Sequence, residues 1–197
     1  MEVVVAAIIG YALGSLVPGL WIARAKGIDI RRVGSGNIGS TNAYRAMGFW
    51  GGLAVQIIDI GKAVMAVFIA RKFGVPAWGE YIVVTAAVLG HIYPIWAKFQ
   101  GGKGINTLLG GMLMVEPLSS MAALGTFLVG LGLSQIVSVS SLIAVGSFIG
   151  WHGIVGEKTM IGYLMGAFWW GLVIFTHRSN IYRLWQGTEP KVGQRKR

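Results

Sequence analysis

Apolar residues run along this chain in blocks of 11 to 21, and polar residues gather in the gaps between them. A segment that is apolar all round belongs in lipid, where roughly 20 helical residues cross the hydrocarbon core. The first block runs from Val3 to Ala23, with Pro18-Gly19 placed to kink it and Arg24 and Lys26 at its exit. Gly51 to Ala70 is the second and carries Asp59 and Lys62. Glu80 to Lys98 is the third, broken late by His91-Ile92-Tyr93-Pro94. Ile105 to Val115 is the fourth, and Glu116-Pro117 after it is a turn signal. Leu118 to Leu133, Ile136 to Trp151 and Thr159 to Phe175 complete the series. Blocks four to six are short for a bilayer, which accommodates such spans by thinning locally. The expected fold is all-α, a polytopic integral membrane protein of seven transmembrane helices. It forms a single transmembrane domain over residues 1–197, with no internal repeat.

Composition agrees. Hydrophobic residues make up 54% of the 197 and charged residues 12%, against about a quarter in soluble domains. Glycine, at 31 residues, suits close helix packing in membranes. With no cysteine there is no disulfide and no thiol nucleophile. Met1-Glu2 opens straight into the apolar run, without the basic segment of a signal peptide. The net charge of +10 would suggest nucleic acid in a soluble protein. In a membrane protein it points instead to anionic lipid or anionic substrates. Thirteen of the 17 Lys and Arg fall in residues 24–50, residues 97–106 and the tail after His177; Arg71, Lys72 and Lys158 fall in the alternate loops. The positive-inside rule then sets the N-terminus outside and the C-terminus in the cytoplasm. It also gathers the three polar segments on the cytoplasmic face.

Candidate chemistry concentrates in Arg31 to Arg45, where fifteen residues hold three Arg, three Gly, two Asn, two Ser and a Thr. Glycines let backbone N–H groups turn inward, hydroxyls add donors, and Arg offers a planar fork to phosphate. Such a loop can bind a phosphate or acyl phosphate through a nest of donors. Gly34-Ser35-Gly36-Asn37-Ile38-Gly39 matches the dinucleotide pattern, but a membrane span precedes it where that fingerprint needs a strand. Gly101-Gly102-Lys103-Gly104 is not a Walker loop, although Lys103 between glycines is placed either to meet a phosphate or to anchor a helix. His177 and Asn180, three apart, share a face if that segment is helical. His91 and His152 are expected to be structural, and no histidine spacing suggests a metal centre. Asp59 and Lys62, also three apart, either lock their helix as an ion pair or line the substrate pocket. Ser138, Ser140 and Ser141 cluster without an assigned role. Arg195-Lys196-Arg197 is expected to dock on anionic lipid.

Three stretches resemble the cytoplasmic signatures of the bacterial acyl-phosphate:glycerol-3-phosphate acyltransferase family: Gly34 to Arg45, Gly90 to Pro94 with Phe99 to Gly104, and His177 to Glu189. The family's third signature more often has Glu where this chain has Ser179. The resemblance implies a multi-pass bacterial inner-membrane enzyme with a cytoplasmic active site. It would move a fatty acyl group from acyl phosphate to glycerol 3-phosphate, giving lysophosphatidic acid and phosphate for phospholipid synthesis. It would need no cofactor, no nucleic acid and no obligate protein partner, only membrane lipids around it. On that footing Ser35, Arg45, Lys103, His177 and Asn180 are the expected catalytic residues. Gly34, Gly36, Asn37, Gly39, Ser40, Thr41, Asn42, Gly102 and Gly104 are expected to bind substrate. A small anion transporter with broken helices around a midplane site is the competing reading. The lack of repeats and the one-sided polar segments stand against it. A purely structural subunit leaves that clustering unexplained.

Overall fold

The computed structural model describes residues 1–193, and each predicted block is helical. Helices α1 (Glu2–Gly14) and α2 (Pro18–Ala25) form the first block. The chain breaks at residues 15–17, just before Pro18, whose missing N–H suits the first turn of a helix. A 3₁₀ turn, Ile30–Arg32, follows. Helix α3 (Ser40–Lys72) begins eleven residues before the apolar block does and bends at Gly48, φ 73°. Phe49 and Trp50, just past the bend, are exposed, as aromatic residues at a membrane interface are. Helix α4 (Ala77–Ile92) stops at Tyr93-Pro94, and a 3₁₀ turn, Ile95–Ala97, leads to α5 (Ile105–Val115). Then come α6 (Pro117–Ser134), α7 (Val137–Val155), α8 (Met160–Thr176) and α9 (Arg178–Trp185).

Among the described residues five segments are long and apolar enough to cross a membrane: Glu2–Ala25, Ser40–Lys72, Ala77–Ala97, Pro117–Ser134 and Val137–Val155. A sixth arises if α8 and α9, bent by 62° from each other, count as one span. At about 1.5 Å per residue, the 11 residues of α5 cover only about half the hydrocarbon thickness. The chain is therefore an all-α polytopic membrane protein with five or six candidate spans, fewer than the seven expected. Large apolar side chains such as Leu128, Val129, Leu133, Ile154 and Leu164 point outward, which is stable only against lipid.

The chain folds as two compact units, Met1–Val115 and the residues from Glu116 onward. In the first, α1 packs against α4 and α3, and α5 against α3 and α4. Small residues make these contacts: Ala6, Ala63, Ala66, Ala70, Val75, Val83 and Ala87 form one buried cluster. A Cβ added at Gly14 would overlap the Ala87 carbonyl, and one at Gly90 the Tyr11 carbonyl. Backbones approach this closely only where side chains are minimal, the usual way for membrane helices to gain packing energy. A second cluster, including Leu20, Ile30, Ile38, Ala43 and Val55, lies beneath the polar loop that precedes α3.

In the second unit α6 packs on α7, and α7 on α8, around Phe148, Trp169 and Val173. His152 is fully buried, with Nδ1 3.0 Å from Glu116 Oε1 and Nε2 3.1 Å from the Thr159 carbonyl. It ties three helix ends together, the structural role expected of it.

Gly90→Ala is expected to destabilise the protein by about 1–3 kcal/mol through overpacking. Gly125→Ala, where a Cβ meets nothing within 4 Å, is expected to be neutral or slightly stabilising. Unfolding in detergent compares the two, and equal effects would rule out close helix approach as the cause.

Candidate active site

The connection from α2 to α3 is shaped by one side chain. Asn42, in the first turn of α3, is 1% exposed. Its Oδ1 accepts from the Ser35 N–H at 2.9 Å, and its Nδ2 donates toward the carbonyls of Ile30, Val33 and Asn37 at 3.1, 2.9 and 2.9 Å. Three carbonyl oxygens are thereby turned inward, away from any anion at the loop surface. Gly34 and Gly36 take φ values of +60° and +71°, and a Cβ on Gly34 would overlap Asn42 Oδ1. Asn37 Oδ1 accepts from the Gly39 N–H at 2.8 Å, so Gly39 is set as the cap of α3. Ser35 is left exposed at the loop tip, and Thr41 is half-buried in the first helical turn. N–H groups of a first turn lack helical acceptors and favour negative charge. Arg45, three residues after Asn42, is exposed, and its Cδ borders Gly34.

This loop is fastened to the one after α4. Arg31 Nη2 donates to the Gln100 carbonyl at 2.9 Å and lies 3.5 Å from that of Ala97. Asn106 Nδ2, at the start of α5, donates to Ser40 Oγ at 2.8 Å. Lys98 and Phe99 hold φ values of +54° and +59°. For side-chain-bearing residues that conformation costs roughly 1–3 kcal/mol each and persists only where neighbours enforce it. The Arg31 clamp and the Phe99 N–H bond to the Pro94 carbonyl at 2.9 Å supply that enforcement. Lys103 is half-buried between Gly102 and Gly104, the latter at φ +83°. Asp59 and Lys62 are the expected ion pair, and His91 joins them beneath Gly102.

The second unit carries its own polar group. Nδ1 of His177, which is buried at the α8–α9 bend, lies 2.9 Å from the Val173 carbonyl. A proton on Nδ1 satisfies that contact and leaves Nε2 as the basic nitrogen. Glu189 gathers its neighbours: Oε1 accepts from Ser138 Oγ at 2.7 Å and from Asn180 Nδ2, and Oε2 pairs with Arg183 Nε at 2.7 Å. Burial pushes the Glu189 carboxyl up, but the bonds from Asn180, Ser138 and Arg183 and the Arg183 charge outweigh it and hold it below the ordinary glutamate range. Ser140 and Ser141 donate back to the Ile136 and Val137 carbonyls, both at 2.9 Å.

Of the expected substrate-binding residues, Asn42 spends its amide on the chain's own backbone, and Asn37 uses its Oδ1 likewise. They shape the loop. Ser35, Thr41, Arg45 and the glycine backbone form its surface. Arg31, His91, Asn106 and Glu189 were not singled out from the sequence as site residues. Arg31 and Glu189 sit in polar stretches of the sequence, whereas nothing about Asn106 marks it before its partner is known. The Gly34–Gly39 segment follows a 3₁₀ turn and precedes a membrane helix, which is no context for dinucleotide binding. Arg195, Lys196 and Arg197, expected on anionic lipid, lie outside the described residues.

The chain is similar to known proteins over nearly its whole length. The family described as "Glycerol-3-phosphate acyltransferase" matches residues 4–187. The glycerol-3-phosphate acyltransferase of Synechococcus sp. (strain CC9902) is 39% identical over 189 residues, covering 95% of this chain and 94% of that one. That of Rippkaea orientalis is 42% identical over 204 residues, covering 95% and 92%. The crystal structure of PlsY, an integral membrane glycerol 3-phosphate acyltransferase, in its glycerol 3-phosphate form superimposes with a TM-score of 0.91. The two are 35% identical, and the match covers 98% of this chain and 96% of that one.

A carboxyl held below its ordinary range adds stability above that range and loses it as the pH falls toward the lowered folded-state value. The wild-type protein is therefore expected to lose stability on acidification below the ordinary glutamate value. Glu189→Gln is expected to be roughly 1–2 kcal/mol less stable near neutrality and to lack that part of the acid loss. Unfolding midpoints across pH measure both, and parallel curves would remove Glu189 as the source.

Proposed function

The chain belongs to the glycerol-3-phosphate acyltransferase family, and from that premise we infer that it transfers a fatty acyl group from acyl phosphate to glycerol 3-phosphate. The products are 1-acylglycerol 3-phosphate and inorganic phosphate, the opening step of phospholipid synthesis. The observation that carries this is the joined pair of loops: a glycine loop held on Asn42 beside Arg45, fastened by Arg31 and Asn106 to the loop that bears Lys103.

The chemistry suits a chain without cysteine. Phosphate is already a good leaving group, so direct attack needs no covalent enzyme intermediate. A glycerol 3-phosphate hydroxyl oxygen attacks the acyl carbonyl carbon, the new ester C–O bond forms, and the acyl C–O bond to phosphate breaks. The hydroxyl proton passes to a phosphate oxygen of the substrate. Ser35, Thr41 and the glycine N–H groups bind the acyl phosphate, and Arg45 and Lys103 hold phosphate charge. His177 and Asn180 orient glycerol 3-phosphate, with Glu189 fixing the Asn180 amide. Catalysis is then chiefly positioning and charge stabilisation. The domain is residues 1–197, the membrane is the bacterial inner membrane, and the active site faces the cytoplasm. Counting α5 and α8 as short spans gives seven, with the N-terminus outside.

Purified protein is expected to turn over acyl phosphate with glycerol 3-phosphate, and not acyl-CoA. Arg45→Ala is expected to lower kcat/KM about 100-fold or more while leaving the protein folded. His177→Ala is expected to retain measurable turnover. Its near-complete loss with glycerol 3-phosphate binding intact would move the proton to His177 instead.

The cysteine-free chain also permits single-cysteine labelling. Arg32→Cys and Gln100→Cys are expected to react only from the cytoplasmic side, and Lys72→Cys and Glu157→Cys only from outside. Arg32 and Gln100 on opposite sides would sink the joined site.

A further inference from the structure

Asp59 and Lys62 have no task in the transfer step, yet both side chains are 2% exposed. Lys62 Nζ lies 2.9 Å from Asp59 Oδ1, 2.9 Å from the Leu16 carbonyl and 2.8 Å from His91 Nδ1. The ammonium is thus ion-paired to Asp59 and hydrogen-bonded toward Leu16 and His91. The Leu16 carbonyl is available because it lies in the break between α1 and α2. Asp59 balances the charge, as a buried ion inside a membrane protein requires. Nδ1 of His91 faces Lys62 Nζ at 2.8 Å and Asp59 Oδ1 at 3.3 Å, so both members of the ion pair meet the same ring nitrogen. These contacts hold the ring in one orientation.

The Nε2 end of that ring lies under Gly102, where an added Cβ would overlap it. The Gly102 N–H donates to the His91 carbonyl at 3.0 Å, and the Gly101 N–H to the Ile92 carbonyl at 3.0 Å. A Cβ on Gly101 would overlap the His91 carbonyl. His91 therefore supports two consecutive glycines with both its ring and its backbone, and Lys103 is the next residue.

We propose that Asp59, Lys62 and His91 are positioning residues for the acyl transfer. The buried cluster locks the His91 ring, the ring forms the floor of the Gly101–Gly104 loop, and the loop gives Lys103 a fixed reach toward substrate phosphate. This rests on the acyltransferase reading, which supplies the phosphate that Lys103 meets. A cluster that only braced α3 against α1 and α4 would change stability when removed, without changing the loop.

Two variants separate these roles. His91→Asn keeps an acceptor near the Nδ1 position for Lys62 and removes the ring end under Gly102. Asp59→Asn with Lys62→Met removes both charges together, so no buried charge is left unpaired. In a variant that folds, amide exchange at Gly101 and Gly102 is expected to be about tenfold faster than in wild type. KM for an anionic substrate is expected to rise about tenfold, with kcat changed less than about threefold. Combining His91→Asn with Lys103→Ala is expected to lose no more than Lys103→Ala alone, because both act through one group. Wild-type exchange and KM in either folded variant would overturn the proposal, as would losses that multiply in the combined variant. Exchange reads the loop without turnover. An inactive wild-type protein would therefore defeat the functional reading, whereas unchanged loop exchange in an active one would defeat this inference.

Discussion

The amide of Asn42 faces four backbone groups of the loop that leads into α3. Its two N–H hydrogens serve three carbonyls, so one is shared, and its oxygen takes the Ser35 N–H. A loop of glycines has little shape of its own, because each glycine gains more freedom in the unfolded chain than any other residue. What fixes this one is a buried polar side chain that would be costly to leave unsatisfied. The direction of the Ile30, Val33 and Asn37 carbonyls follows from that single contact.

Charge burial works in a related way. Lys62 and Asp59 lie on a membrane helix where neither would be stable alone. The ammonium is ion-paired to Asp59 and also meets the Leu16 carbonyl and His91, the latter on α4, 29 residues away along the chain. The same bonds that make the ion tolerable also fix where α1, α3 and α4 sit against one another. In the second unit Glu189 plays the corresponding part, joining the first turn of α7 to α9 through Ser138, Asn180 and Arg183.

The apolar blocks were plain in the sequence because hydrocarbon thickness imposes a length and a composition that few other constraints do. Every block became a helix, and the polar stretches at Arg31–Arg45 and Gly101–Gly104 do lie together. What the pattern did not show was where helices begin and end in polar surroundings. Ser40 to Met47 is helical although it is not apolar, because Asn37 and Gly39 start the helix and Gly48 bends it. The number of spans turns on the same point: α5 is apolar but short, and α8 reaches full length only with the bent, polar α9. Partnership across distance was also hidden. Asp59 and Lys62 could be paired by their spacing, but nothing local to His91 announces that it completes their set. Asn42 looked like a ligand because it sits among phosphate-binding residue types, and its burial could not be seen before the fold.

The bonds from Arg31 to Gln100, from Asn42 to its backbone partners and from Asn106 to Ser40, which secure the paired loops, are made by residues that precede Val115. The ribosome therefore releases the complete set of parts for this platform before the second unit has been synthesised. Assembly in the membrane can proceed in the order of translation, with the joined loops in place as later helices are inserted.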